Sequence, residues 1–465
     1  MKLDKETIRN EAKAINFEWQ SFFTPGELDR LARETGFCKR NGNKTKISGA
    51  TFFDLIVMNR DILSDQSLND LRDELLRKKG IRMAAQSMNE RFNDASVTFF
   101  KTVLKRIICK QVDSKIIEHK LPFKRILIKD STCFQISDAL AETYPGSGGT
   151  GSKASLRIQF EFDLLYSTVT DLSLTAFNVQ DSTDSKMTLD NIAEGDLIVR
   201  DLGYMYKDVF EGIAQRKAAF LCRLGHNTIV YDEKSKKIEF KEILEYMRKC
   251  RISKLEKKIY LADSDLPLRL FIYLLPEDVV EKRLREKNEE AKRKCRKLPS
   301  EEYKIRQHFN LIITNVQSDA IIMDTAYEIY RLRWQLELIF KTWKSLCSID
   351  RVKPVKKQRL ECYVFAKLII LMMGWKIYWK LSAAYYEKFK CMLSQFKFFK
   401  TFNRRIQDLS KVLMLKMSFE EILESFDNCI HTLIINVKKG KKASLEMIKT
   451  IFCLNVSNEF VNNRN

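Results

Sequence analysis

Histidine is scarce in this sequence, and its cysteines form no metal-binding pattern. The 465 residues include four histidines, which lie far apart, and eleven cysteines. There is no Cys-x-x-Cys pair and no Cys/His spacing typical of zinc ligands. These absences argue against a zinc site and leave little material for a mechanism based on a histidine nucleophile. They also favour free thiols in a reducing cytoplasm.

Long hydrophobic runs are absent as well. The most apolar stretch, from Val364 to Trp375, is interrupted by Lys367 and is shorter than the roughly 20 residues that span a bilayer. The first residues, MKLDKETIRNEAK, lack the apolar core of a secretion signal. We therefore expect no membrane partner and a cytoplasmic protein.

Positive charge, in contrast, is in excess. Lysine and arginine number 82 and aspartate and glutamate 61, which gives a formal net charge of +21 and a pI near 9.4. Hydrophobic residues make up 45% of the chain, so it can bury a sizeable core. A balance this basic indicates a polyanionic partner, and nucleic acid is the partner that the lack of membrane features favours.

The pattern of apolar residues changes from helical to β-rich at Lys124. It predicts four strands and one helix in the order β, β, β, α, β. The strands are expected at Arg125–Lys129, Ala154–Leu165, Asp171–Asn178 and Asp196–Arg200, and the helix at Ser185–Ala193. This order is that of the RNase H-like fold, in which the first and fourth strands are neighbours. Asp130 and Asp201 each follow one of these two strands, so we expect their carboxylates to be adjacent.

A second polar cluster is predicted on one helix, Tyr327–Leu346. At about 100° per residue, one side of this helix is apolar, and the other collects Tyr330, Arg333, Glu337 and Lys344 within roughly 60°. An ordinary amphipathic helix with a solvated face explains this pattern by itself. A functional role requires acidic partners for the glutamate elsewhere in the chain.

Asp130, Asp201 and Glu337 together form a set of three carboxylates without histidine. Such oxygen ligands suit hard cations such as Mg²⁺, which keep several waters. Two such ions about 4 Å apart can activate a hydroxyl and stabilise the leaving oxygen of a phosphodiester. The metals are required because the acids alone would repel one another and a phosphate. The other polar residues on the helix face are then placed to hold phosphates by charge-assisted hydrogen bonds.

The helix carries the motif Tyr330-x2-Arg333-x3-Glu337-x6-Lys344. This motif resembles, without a gap, the Tyr-Arg-Glu-Lys signature of the insertion-sequence-four family of bacterial DDE transposases. The resemblance covers roughly Lys124 to Leu371 and, more loosely, the helical N-terminus. It implies an α/β fold with an RNase H-like catalytic core and a β-rich insertion between the second aspartate and the glutamate, flanked by helical N- and C-terminal regions.

The two aspartate motifs, Asp130-Ser-Thr and Asp201-Leu-Gly-Tyr, look like the first and second acid motifs of that family. The resemblance implies that Asp130, Asp201 and Glu337 bind two Mg²⁺ or Mn²⁺ ions. The tyrosine, arginine and lysine of the helix motif would lie at phosphates near the transposon end. The implied activity is cut-and-paste transposition: binding of terminal inverted repeats, cleavage that exposes 3′-hydroxyls, and transfer to target DNA. A homodimer in the synaptic complex and a place at the nucleoid are implied in the same way.

One departure from the family concerns tryptophan. Some members cut through a DNA hairpin and stack a tryptophan of the insertion on a flipped base. Between Asp201 and Arg333 this sequence has no tryptophan. Tyr303 or Phe309 substitutes, Trp334 contributes from the helix, or second-strand processing differs. The sequence leaves these alternatives open.

The sequence divides into five predicted segments. In the first segment, a pair of helices joined by a short turn fits a DNA-binding helix pair and a plain helical bundle equally well. The segments are a helical N-terminal DNA-binding region (1–120), the first part of the core (121–203), the β-rich insertion (204–315), the core's catalytic helix (316–350) and a helical C-terminal region (351–465).

Two other functions fit the same residues. The chain could be a domesticated or inactive nuclease or DNA-binding protein derived from such an element. It could also be a DNA-binding repressor whose carboxylates are structural.

Overall fold

The structure is a computed structural model, and a mixed β-sheet occupies its centre. It describes residues 2–20, 23–38, 47–59, 66–109, 121–147, 151–166, 168–262, 264–389, 391, 393–413 and 416–434. The strands within these residues are β1 (Arg125–Gln135), β2 (Ser155–Asp163), β3 (Thr168–Ala176), β4 (Asp196–Arg200), β5 (Ala219–Arg223), β6 (Val230–Tyr231), β7 (Lys254–Leu261), β8 (Leu268–Leu274) and β9 (Phe309–Thr314). They form one sheet of nine strands in the order β3-β2-β1-β4-β5-β9-β8-β7-β6.

The four predicted core strands are present, and the first and fourth are neighbours as expected. β1 pairs in parallel with β4, with Lys129 opposite Arg200, and antiparallel with β2. The first strand is longer than predicted. It continues to Gln135 because β2 keeps pairing with it after β4 has ended. Asp130 therefore lies inside β1 rather than at its end, which corrects the expectation, while Asp201 directly follows β4 as expected.

Helix α7 crosses one face of this half of the sheet. The predicted range was Ser185–Ala193, but the helix covers Asp181–Met187 and a 3-10 turn follows at Leu189–Asn191. The helix starts earlier because Gln180 has extended dihedrals and the backbone enters the helix at Asp181. Because the helix starts at Asp181, the side chains of Asp181 and Asp184 reach residues of the sheet.

The second half of the sheet contains the strands predicted for the insertion. β5 pairs in parallel with β4, and β9 pairs antiparallel with β5, so these strands extend the same sheet. The sequence alternation at Lys237–Phe240 also predicts a strand, and this prediction is wrong, since Lys237 makes a single bridge to Tyr231 and a helix begins at Phe240. Helices of this half are α8 (Lys207–Gln215), α9 (Phe240–Lys249), α10 (Glu277–Arg293) and α11 (Glu301–Arg306).

Local sequence explains where the N-terminal helices begin and end. The Thr24 hydroxyl accepts from the Glu27 amide, and Ser67 and Asp70 form a capping box. Gly80 ends the helix that Ser67 begins, and its φ of 67° is a value that favours glycine. The helices of this region are α1 (Lys5–Gln20), α2 (Pro25–Glu34), α3 (Gly49–Val57), α4 (Leu68–Lys79), α5 (Ala85–Glu90) and α6 (Asp94–Cys109).

The predicted helix Tyr327–Leu346 is two consecutive helices, α12 (Met323–Leu332) and α13 (Trp334–Cys347). The hydrogen-bonding pattern is interrupted at Arg333, whose dihedrals remain helical at φ −52° and ψ −35°. On either side of this interruption, Tyr330, Arg333 and Lys344 of the motif still contact the same part of the sheet, at Asp201, Asp130 and Cys133.

A long buried helix, α14 (Lys357–Phe389), joins the core to the N-terminal helices, packing against α3 and α6. The remaining helices are α15 (Gln395–Arg404), α16 (Ile406–Leu413), α17 (Phe419–Asp427) and α18 (Ile430–Leu433). Within the ranges given above, none of the helices combines the length and the hydrophobicity of a membrane span. Cysteines in the same ranges are free thiols.

Candidate active site

Strand alternation decides which residues of β1 reach the candidate site. Successive side chains of a strand point to opposite faces of the sheet, so Asp130 shares a face with its β2 partner Phe160. The Phe160 ring meets Trp343 of α13 edge to face, with centroids 5.2 Å apart. Trp343 is fully buried. This contact seats α13 on the face of the sheet to which Asp130 points.

Two residues of the helix motif contact the two aspartates. Arg333 donates from Nη1 to Oδ2 of Asp130 at 2.7 Å. The Tyr330 hydroxyl donates to Oδ1 of Asp201 at 3.1 Å. Arg333 also approaches the third acid, with 3.6 Å between its Nη2 and Oε1 of Glu337. The structure thus brings all three predicted carboxylates to one place.

Lys344, the last residue of the helix motif, lies on α13 beyond Glu337. Its Nζ donates to the backbone carbonyl of Cys133 in β1 at 2.9 Å. Lys344 therefore borders the cluster from the C-terminal side of α13, and in this geometry it binds the strand that carries Asp130.

Burial decreases across the cluster. The side chains of Asp130 and Arg333 are 17% and 15% exposed, whereas that of Glu337 is 40% exposed. The site is therefore open to solvent on the side of the glutamate and closed beneath the aspartates.

The electrostatics of the site follow from this burial. Burial, helped by the carboxylates of Asp201 and Glu337 and opposed by Arg333, raises the pKa of Asp130 to about 6. Burial, and then the neighbouring Asp201, also raises the pKa of the Tyr330 phenol, which keeps it a hydrogen-bond donor. Burial opposes the charged form of Arg333, but the surrounding carboxylates outweigh it and raise its pKa.

The donor set has the chemistry of a site for hard divalent cations. The three carboxylates around Arg333 offer oxygen ligands without nitrogen or sulfur, which is the set that Mg²⁺ prefers. In the parts of the chain that the structure describes, no group of three His, Cys, Asp or Glu side chains is already in metal-binding geometry. Arg333 lies between Asp130 and Glu337, so a metal there would compete with its guanidinium for the same oxygens.

The structure also bears on the three aromatic residues considered for base stacking. Phe309 is 1% exposed and packs beside Phe240, so its ring cannot reach a base in this fold. Trp334 is 51% exposed, and its ring lies 5.8 Å from Nζ of Lys341. Tyr303 lines a cavity of about 320 Å³ in the insertion half together with basic side chains. Trp334 and Tyr303 therefore remain open alternatives.

A buried ionic cluster on the opposite face of the sheet was missed by sequence reasoning. Lys129 contacts Asp171 and Asp184, with Nζ–Oδ2 distances of 2.8 and 2.5 Å. Arg200 contacts Glu161 with 2.6 Å between Nη2 and Oε1. Lys129 and Arg200 directly precede the two candidate metal-binding aspartates. Each of these two charged residues ends an otherwise apolar strand sequence, and this pattern was the signal that could have indicated the cluster.

Comparison with known proteins decides the family. A family model described as a transposase DDE domain matches residues 121–373, more than half of the chain. The transposase for insertion sequence element IS231F from Bacillus thuringiensis subsp. israelensis is 32% identical over 469 residues, covering 96% of this chain and 95% of its own length. The chain belongs to the DDE transposases.

Further relatives agree with this assignment. The IS231E transposase from Bacillus thuringiensis subsp. finitimus is 30% identical, covering 96% of this chain and 95% of its own length. The IS1151 transposase from Clostridium perfringens is 27% identical, covering 96% and 98%. A solved structure, the piggyBac transposase synaptic complex with hairpin DNA, is similar at a TM-score of 0.45 and 12% identity, over 92% of this chain and 87% of that one. The family model and the insertion-sequence relatives confirm the predicted class of a DNA transposase, while the helix motif rests on its own spacing.

Proposed function

We propose that Asp130, Asp201 and Glu337 carry the chemistry of this DDE transposase by binding two Mg²⁺ ions, which Mn²⁺ can replace. When bound, such ions activate the attacking hydroxyl and stabilise the leaving oxygen of a phosphodiester. The proposal is supported by the convergence of three acids from β1, β4 and α13 with Arg333 among them. Cleavage and strand transfer are both phosphoryl transfers, so one site serves both.

The basic residues of the helix motif would hold the DNA, and the tyrosine would hold one of the acids. In this proposal Arg333 exchanges its contact with Asp130 for a phosphate near the scissile bond, as a guanidinium binds both groups in the same geometry. Tyr330 holds the carboxylate of Asp201 in place through its hydroxyl. Lys344 would contact a further phosphate from the end of the same face.

The proposed DNA partners are the terminal inverted repeats of the element and its target DNA. The net charge of +21 supports a long contact with a polyanion. We assign end binding to the helical region 1–120 and keep the five-segment division of the chain as part of this proposal. Because two ends must be held together, we propose a homodimer in the synaptic complex, acting at the nucleoid.

The test is cleavage of a labelled duplex that ends in the element's own inverted repeat. We expect Mg²⁺- or Mn²⁺-dependent nicking and joined products with target DNA. Glu337→Gln should lower cleavage about 100-fold or more, because it removes a proposed metal ligand. Glu328→Gln is the matched control, since Glu328 lies on α12 and is paired with Arg331 outside the cluster.

The outcomes separate the candidate functions. Cleavage that persists in Glu337→Gln contradicts the proposed triad. Nicking without joined products indicates a nuclease derived from such an element. Tight binding of the repeat without cleavage in either metal indicates an inactive or repressor-like DNA-binding protein. Sedimentation of the chain with and without two repeat ends tests the homodimer.

A further inference from the structure

A hydrogen-bond network centred on Asp181 lies on the face of the sheet opposite α13. Asp181 is the first residue of α7, and its Oδ1 accepts from Ser131 Oγ and from Gln159 Nε2, each at 3.1 Å. Arg157 pairs with the same oxygen. Gln159 is fully buried and Arg157 is 8% exposed. Three donors from two strands therefore converge on one carboxylate oxygen.

This network reaches the first aspartate through Ser131. The side chain of Ser131 donates to Asp181, while its backbone amide donates to Oδ1 of Asp130 at 2.8 Å. Arg157 also lies 3.4 Å from Ser131 Oγ. One residue thus contacts the candidate metal ligand on one face of the sheet and Asp181 on the other. The position of its peptide is fixed from both sides.

The network reaches the second aspartate through Tyr204. Gln159 accepts at Oε1 from the Tyr204 hydroxyl at 2.7 Å. Tyr204 is 1% exposed and ends the 3-10 turn Leu202–Tyr204, whose first hydrogen bond runs from the Tyr204 amide to the carbonyl of Asp201. The turn that starts at Asp201 is therefore tied to the same carboxylate.

The turn also packs directly on Asp181. The turn and α7 are in contact, and a Cβ added at Gly203 would come within 3.6 Å of Oδ2 of Asp181. Burying a charged and hydrogen-bonded group costs desolvation energy, and an apolar residue of similar size stabilises a fold equally well or better. What the polar network adds is fixed directions for the two segments that it joins.

We propose that Asp181 is a positioning residue that sets the spacing of Asp130 and Asp201, through Ser131 on one side and Gln159–Tyr204 on the other. This inference rests on the proposed function, because it assumes that the two aspartates share divalent ions. A two-ion site requires its ligands to be held within about 0.5 Å of their working positions. Groups that orient metal ligands typically change metal affinity 10–100-fold when they are replaced.

Two substitutions test the network without touching a proposed metal ligand. Asp181→Asn removes the charge and turns one acceptor into a donor. Tyr204→Phe deletes a single hydroxyl and keeps the ring. Both should raise, by about 10-fold or more, the Mn²⁺ concentration for half-maximal binding, followed in the full chain without DNA by the electron paramagnetic resonance signal of free Mn²⁺. The metal concentration for half-maximal nicking should rise in parallel, with the rate recovering at high Mn²⁺.

Tyr378→Phe is the matched control. Tyr378 is 7% exposed, and its hydroxyl donates to the Leu393 carbonyl at 3.1 Å, away from the acids. It therefore loses a buried phenol hydrogen bond of the same kind as Tyr204. A merely structural effect would lower thermal stability in both variants and leave Mn²⁺ affinity unchanged in both.

The outcomes distinguish this inference from the proposed function. If Asp130→Asn abolishes Mn²⁺ binding while Asp181→Asn and Tyr204→Phe bind like the unsubstituted chain, the positioning role is refuted and the metal site stands. If Asp130→Asn leaves binding unchanged, the metal site is refuted and the positioning role with it. Should Asp181→Asn fail to fold, Tyr204→Phe decides alone, since it removes only one oxygen.

Discussion

The buried ammonium of Lys129 offers a direct test of the energetics beneath the candidate active site. It is 0% exposed and lies within ion-pair distance of Asp171 and Asp184, whose side chains are 15% and 7% exposed. Arg200 and Glu161 complete the cluster, giving two cations against three carboxylates. Lys129→Met keeps most of the aliphatic stem and removes the charge, so Asp171 and Asp184 lose their shared cation.

The magnitude follows from burial. At 2.8 Å and an effective dielectric constant near 20, the attraction between Lys129 and Asp171 alone is about 6 kcal/mol before desolvation is counted. Removing one partner of a buried pair typically costs about 3–5 kcal/mol, because the remaining charges stay buried without compensation. We expect Lys129→Met to lower the free energy of unfolding by an amount in this range.

The chain contains a matched control on α7. Lys186 and Asp208 form the same kind of pair at the same 2.8 Å, but their side chains are 55% and 57% exposed. Solvent screens such a pair, so Lys186→Met should leave stability unchanged within error. The assay is urea unfolding followed by circular dichroism, where Lys129→Met should lower the midpoint and Lys186→Met should not.

A second substitution sharpens the result. In the double variant Lys129→Met/Asp184→Asn, one of the stranded carboxylates is neutral, and part of the lost stability should return. Equal midpoints for Lys129→Met and Lys186→Met would refute the reasoning, because burial would then make no difference to an ion pair of the same length.

Three further substitutions test other parts of the structure. Burial raises the pKa of Asp163 to about 6 from 3.8, so its protonated form stabilises the fold fully below about pH 4, and this contribution is lost as the pH rises through 6. Asp163→Asn should therefore raise the free energy of unfolding at pH 7.5 by up to about 3 kcal/mol and leave it nearly unchanged at pH 4, as measured by urea unfolding. An equal change at both pH values would contradict this. Gly374→Ala puts a Cβ 2.8 Å from the Phe402 ring, and this crowding should destabilise the fold by about 1–3 kcal/mol in the same assay. An unchanged midpoint would show that α15 moves away from the added methyl group without cost. Tyr330→Phe removes the hydrogen-bond donor to Asp201 and should lower DNA cleavage about 10–100-fold, while binding of the repeat in a gel-shift assay stays unchanged. Weaker binding instead would mean that the hydroxyl contacts DNA.

The convergence of the acids was predictable because it depends on order and periodicity. The β, β, β, α, β pattern makes β1 and β4 neighbours, so it places Asp130 beside Asp201 whatever the exact strand lengths are. The two-faced pattern around Glu337 required only a helical period, and it holds although the helix is interrupted at Arg333. Errors of several residues at strand and helix ends did not affect these relations.

Other features depend on information that short sequence windows do not contain. The stretch at Lys237–Phe240 is a short apolar and polar alternation, and only the buried side of α9 distinguishes it from a strand. The pairing of β5 with β4 depends on contacts between segments whose strand patterns look alike. The role of Asp181 depends on the register of Ser131 opposite Gln159, and a shift by one residue would turn these side chains away.

Three consecutive residues of β1 connect these results. Asp130 points to the face with α13, and its neighbours Lys129 and Ser131 point to the face with α7, where each binds a different acid of that helix. The carboxylate proposed to hold a metal is therefore placed by two polar contacts behind it, one ionic and one a hydrogen bond. Because these contacts lie across the sheet from the face proposed to bind DNA, changing them should alter the geometry of the acids without removing a DNA contact. A transposase with such an arrangement can vary its DNA-binding face while the support of its acids stays on the other side of the sheet.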